Sequence, residues 1–156
     1  MAEHTHWYGG FLGQLSPRVQ GKLVSLGEAF HYTAGQTIFR EGDHSTHLYI
    51  VKAGRVSLAT HVPSKGRRPI MDVGSGELFS WSALVAPYVE TASARATEQT
   101  ELLGIKGSAL MDLCRQDREL GFEIYRALAE IITARLIATR LQLVDIFAVA
   151  KEAGSA

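Results

Sequence analysis

Between Phe30 and Ala59, each run of β-forming residues is cut short by a glycine turn. The runs are Phe30-His31-Tyr32, Thr37-Ile38-Phe39, Leu48-Tyr49-Ile50-Val51 and Arg55-Val56-Ser57-Leu58-Ala59. The breaks are Ala34-Gly35-Gln36, Glu41-Gly42-Asp43 and Ala53-Gly54. Such segments are too short for stable helices, and strands at this spacing fold as a sandwich or jelly roll. The pattern continues from Val73 to Ile105, which reads as strand, glycine turn, short helical turn, loop and two further strands. Gly74 and Gly76 supply the tight backbone, and Ser80-Trp81-Ser82-Ala83-Leu84 has few β-formers and turns helically. Thr91-Ala92-Ser93-Ala94-Arg95-Ala96 returns as a strand of small residues, which leaves room beside it. Amides at a helix start favour an anion, so the stretch predicts a shallow pocket for a phosphate-sized group.

Helices flank this β region. Phe11, Leu12 and Leu15 precede Ser16-Pro17, a cap residue and a first-turn proline, and Val19, Leu23 and Leu26 follow at helical spacing. Gly27 stops the run, so the spacing predicts an N-terminal helix over 11–27. Gly107-Ser108 opens a helix through Leu110, Met111 and Leu113 to about Gln116, and Asp117 caps a longer one. Between Gly121 and Gly154 there is neither glycine nor proline. Phe122, Tyr125, Ala129, Ile132, Leu136, Thr139, Leu143, Ile146 and Ala150 form a heptad seam there, on a helix roughly 45 Å long. Leu120, Ile124, Leu128 and Ile131 form a second apolar face over its first half only. Two faces need two partners: the β region for the short face, and a second copy of the same helix for the long one.

At 156 residues, one domain with a real core is expected. Sixteen basic and sixteen acidic residues cancel, which argues against general binding to polyanions or membrane surfaces. The single cysteine, Cys114, excludes an intramolecular disulfide and fits a reducing compartment. The N-terminal residues lack a basic region followed by an apolar run, and no apolar stretch approaches the ~20 residues of a membrane helix. The expected location is cytoplasmic. Pro63–Pro69 reads as a hairpin tip with Lys65, Arg67 and Arg68, either a solvated loop or a patch for an acidic partner or phosphate tail.

The block from Gly74 to Ala96 resembles the phosphate-binding cassette of the cyclic nucleotide-binding domain family, which carries G-[DE]-x-F-G-E-[LM]-A-L and then R-[ST]-A-x-V-x-A. Phe79, Ala83, Leu84, Thr91, Ala92 and Ala96 match. The series from Tyr32 to Leu58 is similar to the first half of the same domain, and the resemblance covers about residues 10 to 145. It implies an α+β fold: a β-roll or jelly roll of about eight strands over 30–106, with the cassette at 74–92 and its short helix. The short N-terminal helix and C-terminal helices over 108–150 complete it, the last a dimerisation helix.

In the family, the cassette Glu accepts from the ribose hydroxyl and the Arg pairs with the cyclic phosphate. Here Trp81 stands at the Glu position and Glu90 at the Arg position. The resemblance therefore implies a degenerate member of the family, unable to hold ordinary cyclic AMP or cyclic GMP. Candidate pocket residues are Glu77, Ser80, Trp81, Ser82, Ala83, Glu90, Thr91 and Ala92, with Arg135, Thr139 or Arg140 approaching from the long helix. Trp81 either plugs the ribose space or stacks on a ligand ring.

Regulators of this family add a helix-turn-helix domain after the long helix, whereas this chain reaches only Ala156, so no direct DNA contact is expected. The six histidines lack ligand spacing, one cysteine cannot hold an iron–sulfur cluster, and no nucleophile motif surrounds Ser80 or Ser82. The chain is thus expected to be non-enzymatic, without metal or cofactor. It is expected to pair with itself and to act by docking on another protein, or else by sensing a cyclic nucleotide or other nucleotide-like small molecule in the modified pocket.

Overall fold

The computed structural model describes residues 6–155. In chain order the elements are α1 (Pro17–Leu26), β1 (Glu28–Tyr32), β2 (Thr37–Phe39), β3 (His47–Ala53), β4 (Val56–Val62), β5 (Gly66–Val73) and β6 (Leu78–Phe79). They continue with β7 (Ser93–Ala96), β8 (Thr100–Lys106), α2 (Gly107–Gln116) and α3 (Arg118–Gly154). The eight strands form two antiparallel sheets, ordered β1-β8-β3-β6 and β2-β7-β4-β5.

The sequence of β3 explains the layering. Leu48, Tyr49, Ile50 and Val51 are all buried, so both faces of the strand are covered. Leu48 and Ile50 join Leu78, Leu103 and Ile105 in a core shared with α1, α2 and α3. Tyr49 and Val51 point the other way, into a core with Val56, Val73, Phe79 and Ala94 between the two sheets. The first sheet is therefore the middle layer, with helices outside and the second sheet closing the roll.

The N-terminal helix begins at Pro17 and not at Phe11, and Leu12–Gln14 makes a separate 3-10 turn. Ser16 has the extended backbone of a cap, yet its hydroxyl does not cap the helix. Its Oγ and N donate to the Glu123 carboxylate at 3.0 and 2.9 Å, tying α1 to α3. Gly76 has φ +84°, and an added Cβ would press on the Trp7 carbonyl and the Gly10 amide. That close approach lets Phe11 N–H donate to Gly76 O at 3.0 Å, holding the N-terminal segment beside the start of β6.

Two further expectations change. Arg67 and Arg68 lie within β5, because the hairpin pairs down to Val62 opposite Gly66, and only Lys65 sits in the turn. The strand expected from Thr91 begins at Ser93.

Asp117 caps α3 as expected, accepting from Leu120 N–H at 3.1 Å, and also pairs with Arg18 and Lys22 of α1. These partners hold its carboxyl well below the usual range. The helix runs 37 residues. Leu120, Ile124 and Leu128 are buried against the roll, whereas Phe122 is 67% and Leu143 49% exposed. Truncating Ile124 to Ala leaves a cavity under the docked half of α3, at an expected cost of about 2–5 kcal/mol. Urea denaturation checks this, and a loss near zero means that α3 is not seated on the core.

Candidate functional site

The cassette loop runs from β6 to β7 and is latched along its return. Gly42 N–H donates to Glu90 O, Glu90 N–H to Asp43 O and Ser45 N–H to Tyr88 O, each at 2.8 Å. The turn Glu41-Gly42-Asp43 thus serves as the loop's backing strap, and it carries Ser45 to the same place. Ser80 follows β6 in the left-handed region at φ +65°, and Trp81–Leu84 forms one 3-10 turn. The Ala86–Pro87 peptide bond is cis.

Glu90 is 5% exposed. It is in no ion pair among the described residues. Its Oε1 accepts from Ser45 Oγ at 2.7 Å and from Ser80 Oγ in a very short contact, and the two hydroxyls lie 3.2 Å apart. Burial pushes the Glu90 carboxyl up, and the bonds from Ser80 and Ser45 partly offset that rise. Tyr49, in the inner core, is pushed up to about 12, chiefly by burial, with Tyr32 and Glu90 adding to it.

The second cluster centres on Trp81. The Arg135 guanidinium stands 5.0 Å from the centre of its ring, and Nη2 donates to Leu78 O at 2.5 Å. Nη1 is buried without a partner among the described residues, and burial lowers the Arg135 pKa while Glu77 opposes that shift. Of the three α3 candidates, Arg135 is the one that reaches the cassette. Thr139 is exposed and donates back to Arg135 O at 2.9 Å, and Arg140 is exposed.

The remaining candidates are not brought into one concavity. Glu77 is exposed and accepts from Gly74 N–H at 2.9 Å, bracing the turn. Ala83 is buried, and its amide donates to Ser80 O. Ser82 and Ala92 are half-buried, Thr91 is exposed, and none of them joins the Glu90 cluster. Sequence reasoning missed Ser45, whose only signal was a place just after a turn. Behind the cassette lies a cavity of about 250 Å³ whose lining includes His44, Ser45, Ala83, Tyr88 and Lys106.

Among the described residues no group of His, Cys, Asp and Glu could hold a metal ion. His4 lies outside them. No helix of the described residues is long and apolar enough to cross a membrane.

A two-sheet roll with helices on one face and a loop carrying a 3-10 turn between its sixth and seventh strands is the architecture of a helix-covered β-roll domain. The chain belongs to the cyclic nucleotide-binding domain family, whose model matches residues 29–117. It is 37% identical over 103 residues to the "Cyclic AMP receptor protein" of Thermus thermophilus, a match covering 65% of this chain and 47% of that protein. The crystal structure of Thermus thermophilus Catabolite Activator Protein superposes with a TM-score of 0.73 at 29% identity, covering 85% of this chain and 61% of that one. A cyclic nucleotide-binding domain from Methylobacillus flagellatus has a TM-score of 0.77 at 22% identity, covering 83% and 73%, and shows the shared fold. The chain therefore spans about half the length of its Thermus relative.

The raised Glu90 pKa sets a pH dependence. A carboxyl whose folded pKa lies above its unfolded value contributes stability that is fully present below the unfolded pKa and lost as pH rises through the folded one. Glu90→Gln keeps an acceptor for Ser45 and Ser80 but removes the charge. The variant is expected to melt higher than the wild type at neutral to mildly alkaline pH, with the gap closing as the pH falls into the carboxylate range. Thermal melts across that range check it, and a less stable variant at the higher pH would mean that the ionised form is net stabilising.

Proposed function

We propose that the chain is a non-catalytic regulatory module with an altered nucleotide site, homodimeric through α3, acting in the cytoplasm by docking on another protein. The observation that carries the reading is Glu90, a buried carboxylate at the family's arginine position, already bonded to Ser80 and Ser45. An arginine fork to a phosphate contributes about 1.5–3 kcal/mol per charge-assisted bond. Its replacement by a carboxylate removes that contact. Its ionised form also adds a like charge, which repels by about 4 kcal/mol at roughly 4 Å and an effective dielectric of about 20. A net loss of about 4 kcal/mol turns a micromolar site into a millimolar one. Trp81, in turn, packs against the helical core with Arg135 over its ring, which supports the plug over the stacking platform.

Two apolar surfaces of α3 support the rest. The seam residues Leu136, Leu143 and Ile146 are 49–63% exposed in the single chain, and a parallel two-fold pair buries them. A second ridge, Ile137, Leu141, Val144 and Ala148, lies roughly two fifths of a turn around the helix. Its three large members are 51–61% exposed. A two-helix pair leaves that ridge uncovered, which is the surface offered to a partner protein.

The cavity behind the cassette favours a second reading, a sensor for another nucleotide-like small molecule. Mass spectrometry of the protein purified from its own cells separates the two, since a stoichiometric bound nucleotide supports the sensor.

Calorimetry with cyclic AMP and cyclic GMP is expected to give no heat at micromolar concentrations, and a micromolar dissociation constant would overturn the altered-site reading. In the Trp81→Glu, Glu90→Arg double variant, binding is expected to appear. Sedimentation is expected to show a dimer, and Leu136→Asp, which puts an unpaired charge in an apolar interface at a cost of several kcal/mol, a monomer. A monomeric wild type at tens of micromolar removes the seam pairing.

A further inference from the structure

Away from the cassette, on the outer face of the sheet β2-β7-β4-β5, the strands gather cations that are far apart in the chain. Arg67 of β5 sits opposite His61 of β4, and its Nη2 donates to Ser57 Oγ at 3.1 Å. Ser57 in turn pairs with Arg95 of β7. Ala94 and Ala96 are buried while Arg95 between them is exposed, so Arg95 projects from the outer face. Arg40 follows β2, the strand on the other side of β7. Arg40, Arg67, Arg95 and His61 line one concavity of about 160 Å³ together with Thr60 and Ser93.

None of the three arginines is in an ion pair among the described residues, although the whole chain has zero net charge. The neighbouring carboxylates bond to uncharged groups and not to the guanidinium groups: Glu41 accepts from Thr60 Oγ1 at 2.9 Å and His61 N–H at 3.0 Å, and Asp43 accepts from Arg40 N–H at 2.9 Å, so both place negative charge at the rim and offset part of the arginines' charge. Asp72, across from Ser57 on β5, is exposed. Ser93 Oγ accepts from Glu41 N–H at 2.9 Å, which leaves its own proton to donate. Unpaired guanidinium groups around a small hollow repel one another, and their forks match the oxygens of a phosphate. The hollow is phosphate- to diphosphate-sized and concave, a shape that fits a compact anion better than an extended acidic chain.

We propose that the outer face of the β2-β7-β4-β5 sheet carries an anion site, formed by Arg40, Arg67 and Arg95 with His61, that takes a phosphate group of a small molecule. The site stands on the opposite side of the sheet from the roll interior and does not depend on how the cassette is read.

The test uses the full ¹⁵N-labelled chain titrated with inorganic pyrophosphate at low salt. The expected result is saturable shifts of the amides of Thr60, His61, Ser93 and Arg95. Arg67→Gln and Arg95→Gln are each expected to weaken binding roughly tenfold or more, and together to abolish it. Arg115→Gln, which alters an exposed arginine of α2 paired with Asp112, is expected to leave it unchanged. The amide spectra establish that each variant keeps the native fold. Absence of shifts at millimolar pyrophosphate overturns the proposal, as does unchanged affinity in the natively folded double variant. Binding of heparin to this face without binding of pyrophosphate also overturns it, in favour of a macromolecular acidic partner.

Discussion

Strands β3 and β8 are buried on both faces, and that constraint propagates through the whole chain. A strand with four consecutive buried residues needs a layer on each side, and here the layers are made of different things. On the inner side the second sheet closes over Tyr49, Val51 and Leu102. On the outer side no strand is available, and the helices cover Leu48, Ile50, Leu103 and Ile105. Gly104 marks how tight the inner layer is, since an added Cβ would strike the Phe30 ring and press on Tyr49. The N-terminal segment and α3 are therefore integral to the fold, because the middle sheet has no other outer cover.

A buried carboxylate in such a framework is costly unless its charge is met by donors or lost to a proton. Glu90 has two hydroxyl donors and no cation. Its environment pushes it toward the protonated state, whereas an arginine at this place would stay charged and seek an anion. In this chain the position is completed from within, by the hydroxyls of Ser45 and Ser80. Backbone bonds to the 42–45 segment hold the loop in that arrangement.

Much of this was legible in the sequence because it depends on local pattern. Glycine turns delimit the strands, Asp117 and Gly27 mark helix ends, and the Leu120-Ile124-Leu128 face falls at helical spacing. The family resemblance then located the cassette. What stayed hidden depends on distance in the chain. Ser45 meets Glu90 only because β3 and the cassette return share a strap. Ser16 looks like a helix cap in sequence, but the Glu123 carboxylate from α3 takes its hydroxyl. The choice of Arg135 over Thr139 or Arg140 was a question of helix register against the roll, which the heptad spacing alone does not set. Arg67 and Arg68 read as a tip because Pro63 and Pro69 bracket them, yet Pro69 sits within the paired strand β5.

Arg135 also sits at the junction of the two halves of α3. Before it, Leu120, Ile124 and Leu128 are buried in the roll; after it, Leu136, Ile137, Leu141, Leu143 and Val144 are 49–61% exposed. A helix whose second half is apolar on two sides exposes a large apolar surface to water when it stands alone. Whatever covers it acts one residue away from a side chain that holds the Leu78 carbonyl and the Trp81 ring. A partner that shifts or straightens α3 must move or break those contacts, and a change in the cassette must be felt at Arg135. Any coupling between a partner on α3 and the cassette would be reciprocal in free energy, and Arg135 is the α3 side chain placed to carry it.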